Sequence, residues 1–386
     1  MMQKEKQFIP KLRFPYYNDV WDKFVLENIT TKISDGIHST PKYDLNGNYY
    51  FVNGNNLVDG SISINENTKK VSLEEFKKHK RPLSKNSILL SINGTIGNLA
   101  LYNNENIVLG KSACYINLQK DLPIDFYYYI LQTPRIKKYF LSELTGSTIM
   151  NLSLRSIKST KLIVPSLPEQ QKIASFLTDV DAKITKLTKK KALLAQYKKG
   201  VMQKIFKQEL RFKDDDGNNF SDWEMKKLGD LGNTLNGLTG KTKENFGSGK
   251  PYIQYKQIFD SSRINIDNCG LVDITITDKQ TKVQYGDVFF TTSSETPNEI
   301  GTASVLLDNV EEMYLNSFCF GFRVNQLDLY PSFSQFLFRS NSFRKKMIPL
   351  AQGSTRYNIS KSAFVKLKVS LPCIKEQTKI ANFLSA

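Results

Sequence analysis

Residues 169–177 read EQQKIASFL, and residues 376–384 read EQTKIANFL. A chain that writes nearly the same nine residues twice, at an offset of 207, calls for a search for a larger internal repeat. The match runs upstream without a gap. GSTIMNLSLRSIKSTKLIVP (146–165) lies over GSTRYNISKSAFVKLKVSLP (353–372). Gly146, Ser147, Thr148, Asn151, Ser153, Lys161 and Pro165 recur as Gly353, Ser354, Thr355, Asn358, Ser360, Lys368 and Pro372. Further upstream, YILQTPRIKKYF (129–140) lies over FLFRSNSFRKKM (336–347), and each reads as one amphipathic helix ending in basic residues. The openings match as well. Leu12-Arg13-Phe14 precedes Trp21 and Leu210-Arg211-Phe212 precedes Trp223, with Leu26 and Leu228 five residues after each tryptophan. The spacing differs at the turn KDDDGNNFSD, a kind of segment that tolerates insertion.

Between the matched ends the two copies diverge. PKYDLNGNYYFVNGNNLVDGSISI (41–64) alternates like strands broken by Asn-Gly and Asp-Gly turns, and KPYIQYKQIFDSSRINI (250–266) has the same character with few shared residues. SILLSINGTIGNLALY (87–102) and DVFFTTSSETPNEIGTASVLL (287–307) each read as two buried strands around a polar loop. The fold class is therefore α+β, a mixed domain used twice with a helix after each copy. The expected divisions are an N-terminal segment 1–20, a first domain 21–165, a helix 166–210, a second domain 211–371, and the start of a second helix, 372–386.

From Pro168 to about Lys207 there is no proline and only one glycine, Gly200. Ile173, Leu177, Val180, Ile184, Leu187, Lys191, Leu194, Lys198, Val201 and Ile205 follow a 4-3 spacing, the seam of a coiled coil. Some 40 residues at 1.5 Å rise make a rod of roughly 60 Å. Such a stripe needs a cover, and the helix begun by EQTKIANFL is the natural one. The second copy reads as a helix cut short, however. Lys190 to Lys207 is therefore expected to be exposed or covered by another chain. No acid lies between Lys183 and Lys204, so the rod is strongly basic.

At 386 residues the chain exceeds the usual size of a single core. No apolar run approaches the ~20 residues of a membrane span, and MMQKEKQFIPKLRF has no signal-peptide core. The four cysteines are scattered and there are two histidines, a pattern that fits a reducing cytoplasm and neither a disulfide framework nor a zinc site. A net charge of +17 predicts attraction to a polyanion, nucleic acid before an acidic membrane surface.

Sites for chemistry are poor. GLTGKT (237–242) has two residues where a phosphate loop needs four, and reads as a basic loop. Glu75-Phe76-Lys77 has the E-x-K spacing of some metal-dependent nucleases, but SLEEFKKHK reads as a surface helix without a strand-borne aspartate. A methyltransferase needs a glycine-rich cofactor loop and an Asn/Asp-Pro-Pro-aromatic motif, and neither is present. No Ser-His-Asp or Cys-His arrangement forms around His38. The chain does not read as an enzyme.

Two divergent domains, each closed by GST-x-x-N-x-S, a proline and an E-Q-x-K-I-A helix, resemble the specificity (S) subunit of type I restriction–modification systems. The LRF-turn-Trp openings resemble that family too, and the likeness covers essentially the whole chain. It implies that each domain is a target recognition domain for half of a bipartite double-stranded DNA site, on a pseudo-twofold chain joined by a coiled-coil-type helical spacer. It implies two methyltransferase subunits docked on the spacer helices, with S-adenosylmethionine bound there and not by this chain. ATP and Mg belong, on the same likeness, to restriction subunits joined through the complex.

Candidate DNA contacts are polar loop residues of the divergent middles, since base edges are read by hydrogen-bonding side chains and phosphates by Lys, Arg and hydroxyls. In the first domain these are His38, Ser39, Thr40, Lys42, Tyr43, Asn93 and Thr95. In the second they are Thr239, Lys241, Lys243, Ser293, Ser294, Arg356 and Tyr357. Lys137, Lys138, Arg344 and Lys345, at matched positions, are phosphate candidates. Gly146 and Gly353 are expected to serve turn geometry. Candidate partner-docking residues are Glu169, Gln170, Ile173, Leu177, Val180, Ile184, Leu187, Glu376, Gln377 and Ile380. The competing readings are a metal-dependent nuclease using Glu75 and a protein-binding scaffold for which DNA is incidental.

Overall fold

The computed structural model describes residues 10–325 and 327–386. The chain divides into two compact units between Thr188 and Lys189. That boundary falls inside one unbroken helix, Leu167–Phe206, whose Pro168 sits in the first turn where no backbone donor is needed.

In the first unit, four antiparallel strands form a sheet in the order Thr30–Asp35, Ala113–Leu118, Ser87–Ser91, Leu99–Leu101. All of Ser87–Ser91 and Ala113–Leu118 is buried, which explains their near-continuous apolar runs. Beside it, Tyr49–Val52 pairs antiparallel with Lys70–Val71 and parallel with Ile107–Leu109. A two-stranded ribbon, Asp22–Val25 against Lys161–Val164, ties the start of the domain to its end.

The second unit repeats this plan. Its sheet runs Gly232–Asn236, Cys319–Val324, Val288–Thr291, Ala303–Val305. Phe246–Ile253 pairs antiparallel with Gly270–Val272 and parallel with Tyr314–Leu315, and Glu224–Lys227 pairs with Lys368–Leu371. The same frame is filled differently. Ile88, Leu90, Cys114 and Ile116 pack the first sheet, whereas Phe290, Phe320, Phe322 and Phe364 form an aromatic core in the second, with Phe290 and Phe364 centroids 4.8 Å apart.

Three expectations are corrected. Residues 129–140 are not one helix. Ile124–Leu131 stops and Pro134–Ser142 starts anew, because Pro134 cannot continue the first helix and suits a helix start. The second copy breaks at the same place, into Pro331–Leu337 and Asn341–Met347, with the Ser340 hydroxyl accepting from the Phe343 amide at 3.2 Å. In the stretch 250–266, Tyr255–Asp260 is helical rather than strand-like. Here the buried Gln257 amide donates to the carbonyls of Asn265 and Asn268.

The third correction concerns the long helix. Val180, Ile184, Leu187 and Leu194 are exposed, so the stripe is uncovered where a second helix was expected to lie. The distal stretch is exposed at every residue only from Lys190 to Gly200. Beyond it Val201, Ile205 and Phe206 are buried in the core of the second unit, where Phe206 meets Trp223 and Phe333 at 6.1 and 5.5 Å. The Asn341 amide also donates to the Gln203 side chain at 3.0 Å.

Candidate nucleic-acid interface

The topology gathers three segments at one end of each four-stranded sheet, two loops of the divergent middle and the hairpin of the matched GST stretch. In the first unit, one loop leaves at Gly36, whose amide donates to the Ala113 carbonyl at 3.1 Å, and a second leaves at Ile92, whose amide donates to Ser112 at 2.9 Å. The third is the hairpin Leu144–Thr145/Asn151–Leu152 that carries GSTIMN. It is fastened to the second loop by the Leu152 amide on the Ile92 carbonyl, 2.9 Å, and by the Asn93–Asn151 bridge.

The second unit does the same. Its first loop leaves after Asn236, and its second leaves at Thr292, whose amide donates to Phe318 at 2.9 Å. The Ile359 amide donates to the Thr292 carbonyl at 3.1 Å, and Ser293–Ser294 pairs with Tyr357–Asn358. Gly36 and Gly237 mark the first departures because a Cβ at either would stand 2.1 Å from a backbone oxygen, of Leu109 or Asn316. Gly146 and Gly353 turn the hairpins at φ of +100° and +132°, a region that favours glycine.

His38, Ser39, Thr40, Lys42 and Tyr43 are exposed on the first loop. His38 is set by a 2.7 Å bond between its Nε2 and Asp35 Oδ2. Thr95 is exposed and Asn93 half-buried on the second loop. Lys137 and Lys138 are exposed on the helix Pro134–Ser142. In the second unit Thr239, Lys243, Lys345 and Arg356 are exposed, and Ser293 and Tyr357 are half-buried. Ser293, Ser294 and Arg356 line a recess with Tyr255, Glu295, Glu299 and Phe318.

Three candidates turn inward instead. Lys241 is bonded to Asp278 at 2.6 Å with its side chain almost covered, and this contact leads the causes that hold the Asp278 carboxyl at about 2. Arg344, matched to exposed Lys137, donates to the carbonyls of Gly301 and Asn298 at 2.7 and 2.9 Å. Burial lowers its pKa, and it braces the second loop rather than facing solvent. The side chain of Ser294 is buried, with its hydroxyl 3.3 Å from Glu299.

Half of the ten candidate docking residues also turn inward. Glu169, Gln170, Glu376, Gln377 and Ile380 are buried, and the four polar ones are used within their own unit. Arg13 donates to both oxygens of Glu169 at 2.8 and 2.7 Å, and Arg211 to both of Glu376 at 3.2 and 2.8 Å. These bonds raise the pKa of each arginine. Gln170 donates to the Pro165 carbonyl at 2.8 Å and Gln377 to Pro372 at 2.9 Å. Phe14 meets Phe176 edge-on at 5.7 Å, and Phe212 meets Phe383 at 5.4 Å. The LRF opening, the closing proline and the EQ helix are thus one fastening, made once in each unit. Ile173 and Leu177 are half-buried, and Val180, Ile184 and Leu187 stay exposed.

The E-x-K carboxylate is also structural. Glu75 is buried, accepts the Lys42 amide at 3.1 Å and lies 3.4 Å from His79. The Lys42 bond is the main cause holding its pKa down. Among the described residues no cluster of three His, Cys, Asp or Glu side chains is placed to hold a metal ion, and no helix is long and apolar enough to cross a membrane.

Two apolar residues without hydrogen-bonding side chains also stand at the first hairpin tip. Ile149 and Met150 are exposed, and the offset of 207 places them opposite Arg356 and Tyr357.

A frame used twice, with divergent loops collected at one end of each copy, defines a two-module recognition protein. The pattern of the type I restriction modification DNA specificity domain matches residues 18–195 and again 220–386. The chain belongs to the family of type I restriction–modification specificity subunits. It is 24% identical over 385 residues to the type I restriction enzyme MjaVIII specificity subunit of Methanocaldococcus jannaschii, covering 89% of this chain and 80% of that one. The fold is similar to that of the crystallised type I restriction-modification S subunit from M. genitalium, with a TM-score of 0.55 and 18% identity over 98% of this chain and 91% of that one. A chain solved in a study of complex assembly and conformational transition of the type I system has a TM-score of 0.55 and 16% identity, over 97% and 91%.

Proposed function

We propose that this specificity subunit reads a bipartite duplex DNA target, one half-site per domain, and docks two methyltransferase subunits through its helices without chemistry of its own. One observation carries the reading. Each unit collects unlike polar and basic loops at the same end of the same sheet, on a frame that is otherwise repeated. Two different half-sites read by a common scaffold require that division between constant frame and variable surface. The net charge of +17 adds sequence-blind attraction to phosphates.

His38 to Tyr43 and Asn93 to Thr95 are the base-reading and positioning candidates of the first domain. Thr239, Lys243, Ser293, Arg356 and Tyr357 are those of the second, with Lys137, Lys138 and Lys345 on phosphates. The exposed Val180, Ile184, Leu187 and Leu194 support a protein partner, since an apolar stripe left in water favours being covered. In the assembled enzyme S-adenosylmethionine belongs to the methyltransferase partners, and ATP and Mg to the restriction subunits. Glu75, engaged by Lys42 and His79, gives the nuclease reading little support.

Gel-shift competition with random-sequence duplexes, with and without methyltransferase bound, tests the proposal. The expected result is a preference for one bipartite sequence, which methylation mapping in cells carrying the chain would identify. Absence of any preference in the complex refutes it.

A further inference from the structure

We infer that Ile149 and Met150, at the tip of the first hairpin, read thymine methyl groups in the major groove. The half-site of the first domain is then read by apolar contact at the positions where the second domain presents Arg356 and Tyr357. The inference rests on the DNA-reading proposal and deepens it.

The hairpin is a held display rather than a loose loop. Leu144 pairs with Leu152 and Thr145 with Asn151, and Leu152 is fully buried in the domain core. The second loop grips the hairpin through Ile92 and Asn93. From this base the tip stands out, with Ile149 68% and Met150 46% exposed, and neither belongs to an apolar cluster of the unit. In the second domain the matched Arg356 is ion-paired with Glu295 at 3.6 Å, and Tyr357 pairs with Ser294.

One frame therefore carries an apolar tip in one copy and a charged, hydrogen-bonding tip in the other. Base edges in the major groove present donors and acceptors throughout, and their one apolar group is the thymine methyl. An adjacent Ile-Met pair beside the polar Asn93–Thr95 loop matches an A·T pair whose methyl is covered while its polar atoms are read next to it.

The test uses the full chain with its methyltransferase subunits and a duplex bearing the mapped target. Each thymine is replaced in turn by deoxyuridine, which removes only the methyl. Replacement at a contacted position of one half-site is expected to weaken binding about fourfold, the equivalent of one buried methyl group. The double variant Ile149→Ala/Met150→Ala should bind the thymine duplex more weakly and no longer distinguish it from the deoxyuridine duplex. Ile149→Arg/Met150→Tyr, which installs the second domain's tip, should keep the melting temperature while losing the same discrimination.

Equal deoxyuridine sensitivity in wild type and variant overturns the inference. So does insensitivity of both half-sites, including the case in which Ile149→Ala weakens binding by removing a wedge between base steps. If the wild-type complex prefers no bipartite duplex, the underlying DNA-reading proposal fails. If the preference persists without a methyl effect, only the tip assignment fails.

Discussion

The docking of the long helix into the second unit predicts that Phe206→Ala destabilises that unit alone. Phe206 is 7% exposed and packs against Trp223 and Phe333, while Ile205 and Val201 beside it are equally buried. Emptying a site of this kind costs about 3–5 kcal/mol, as lost burial plus the cavity left behind. For a unit of this size, each kcal/mol moves the melting temperature by roughly 2–4 °C, so a downward shift near ~10 °C is expected. The chain has two tryptophans, one in each unit, which makes the assay specific. In a Trp21→Phe background, fluorescence reports on Trp223 and the second unit. In a Trp223→Phe background it reports on the first. Urea titration should show a lower midpoint for the second unit and an unchanged one for the first. By contrast Ile184→Ala and Leu187→Ala, at side chains more than half exposed, should stay within about 0.5 kcal/mol. A shift at Ile184 as large as that at Phe206 would refute the view that the middle of the helix is uncovered. No shift at Phe206 would refute the docking itself.

Replacing Glu169 with Gln should lower the stability of the first unit and Glu376→Gln that of the second, each read by the same fluorescence transitions. Gln cannot serve Arg13 or Arg211 as a second charged acceptor. Lys345→Ala should reduce the salt slope of DNA binding by about one, whereas Arg344→Ala should lower stability, because its guanidinium is spent on Gly301 and Asn298. In the second unit Asp278 and Glu312 are each held at about 2, with contacts from Lys241 and Lys250 the leading causes. A carboxyl depressed in the folded state stabilises above its ordinary pKa, near 4, and loses that contribution as pH falls toward 2. The midpoint of the second unit should therefore fall over that window, and Lys241→Met should flatten the fall.

Repetition made the frame legible. A constant offset tied Gly146 to Gly353 and Pro165 to Pro372, and the 4-3 spacing located the helix at Leu167–Phe206. What stayed hidden was contact between motifs distant in sequence. Nothing in LRF or EQxKIA states that Arg13 meets Glu169, so the glutamates were assigned to a partner when they close their own unit. Arg344 and Lys241 show the same limit for charge. A cation in a basic loop or at a basic helix end reads as a phosphate ligand until an acceptor 2.6–2.7 Å away appears in the fold. Periodicity also reports where a stripe lies, but not where its cover begins. Val180 and Val201 occupy the same seam, one exposed and the other in a core.

These placements separate the residues that hold each unit from those that would recognise a target. The fastening glutamates, Glu169 and Glu376, are buried and paired with arginines of their own unit, so changing them costs stability. The tip residues Ile149, Met150 and Arg356 are exposed and join no apolar cluster, so they lie where substitutions usually cost less than about 0.5 kcal/mol, whereas Tyr357 is half-buried against the core of its unit. A protein arranged this way can exchange an apolar tip for a charged one without endangering its fold. The two copies in this chain already embody that exchange, with GSTIMN and GSTRYN on matching hairpins. On the proposed reading, substitution at Ile149 and Met150 changes specificity at nearly constant stability, because the turn glycine, the strand pairing and the buried Leu152 behind the tip carry the structure and those two residues do not.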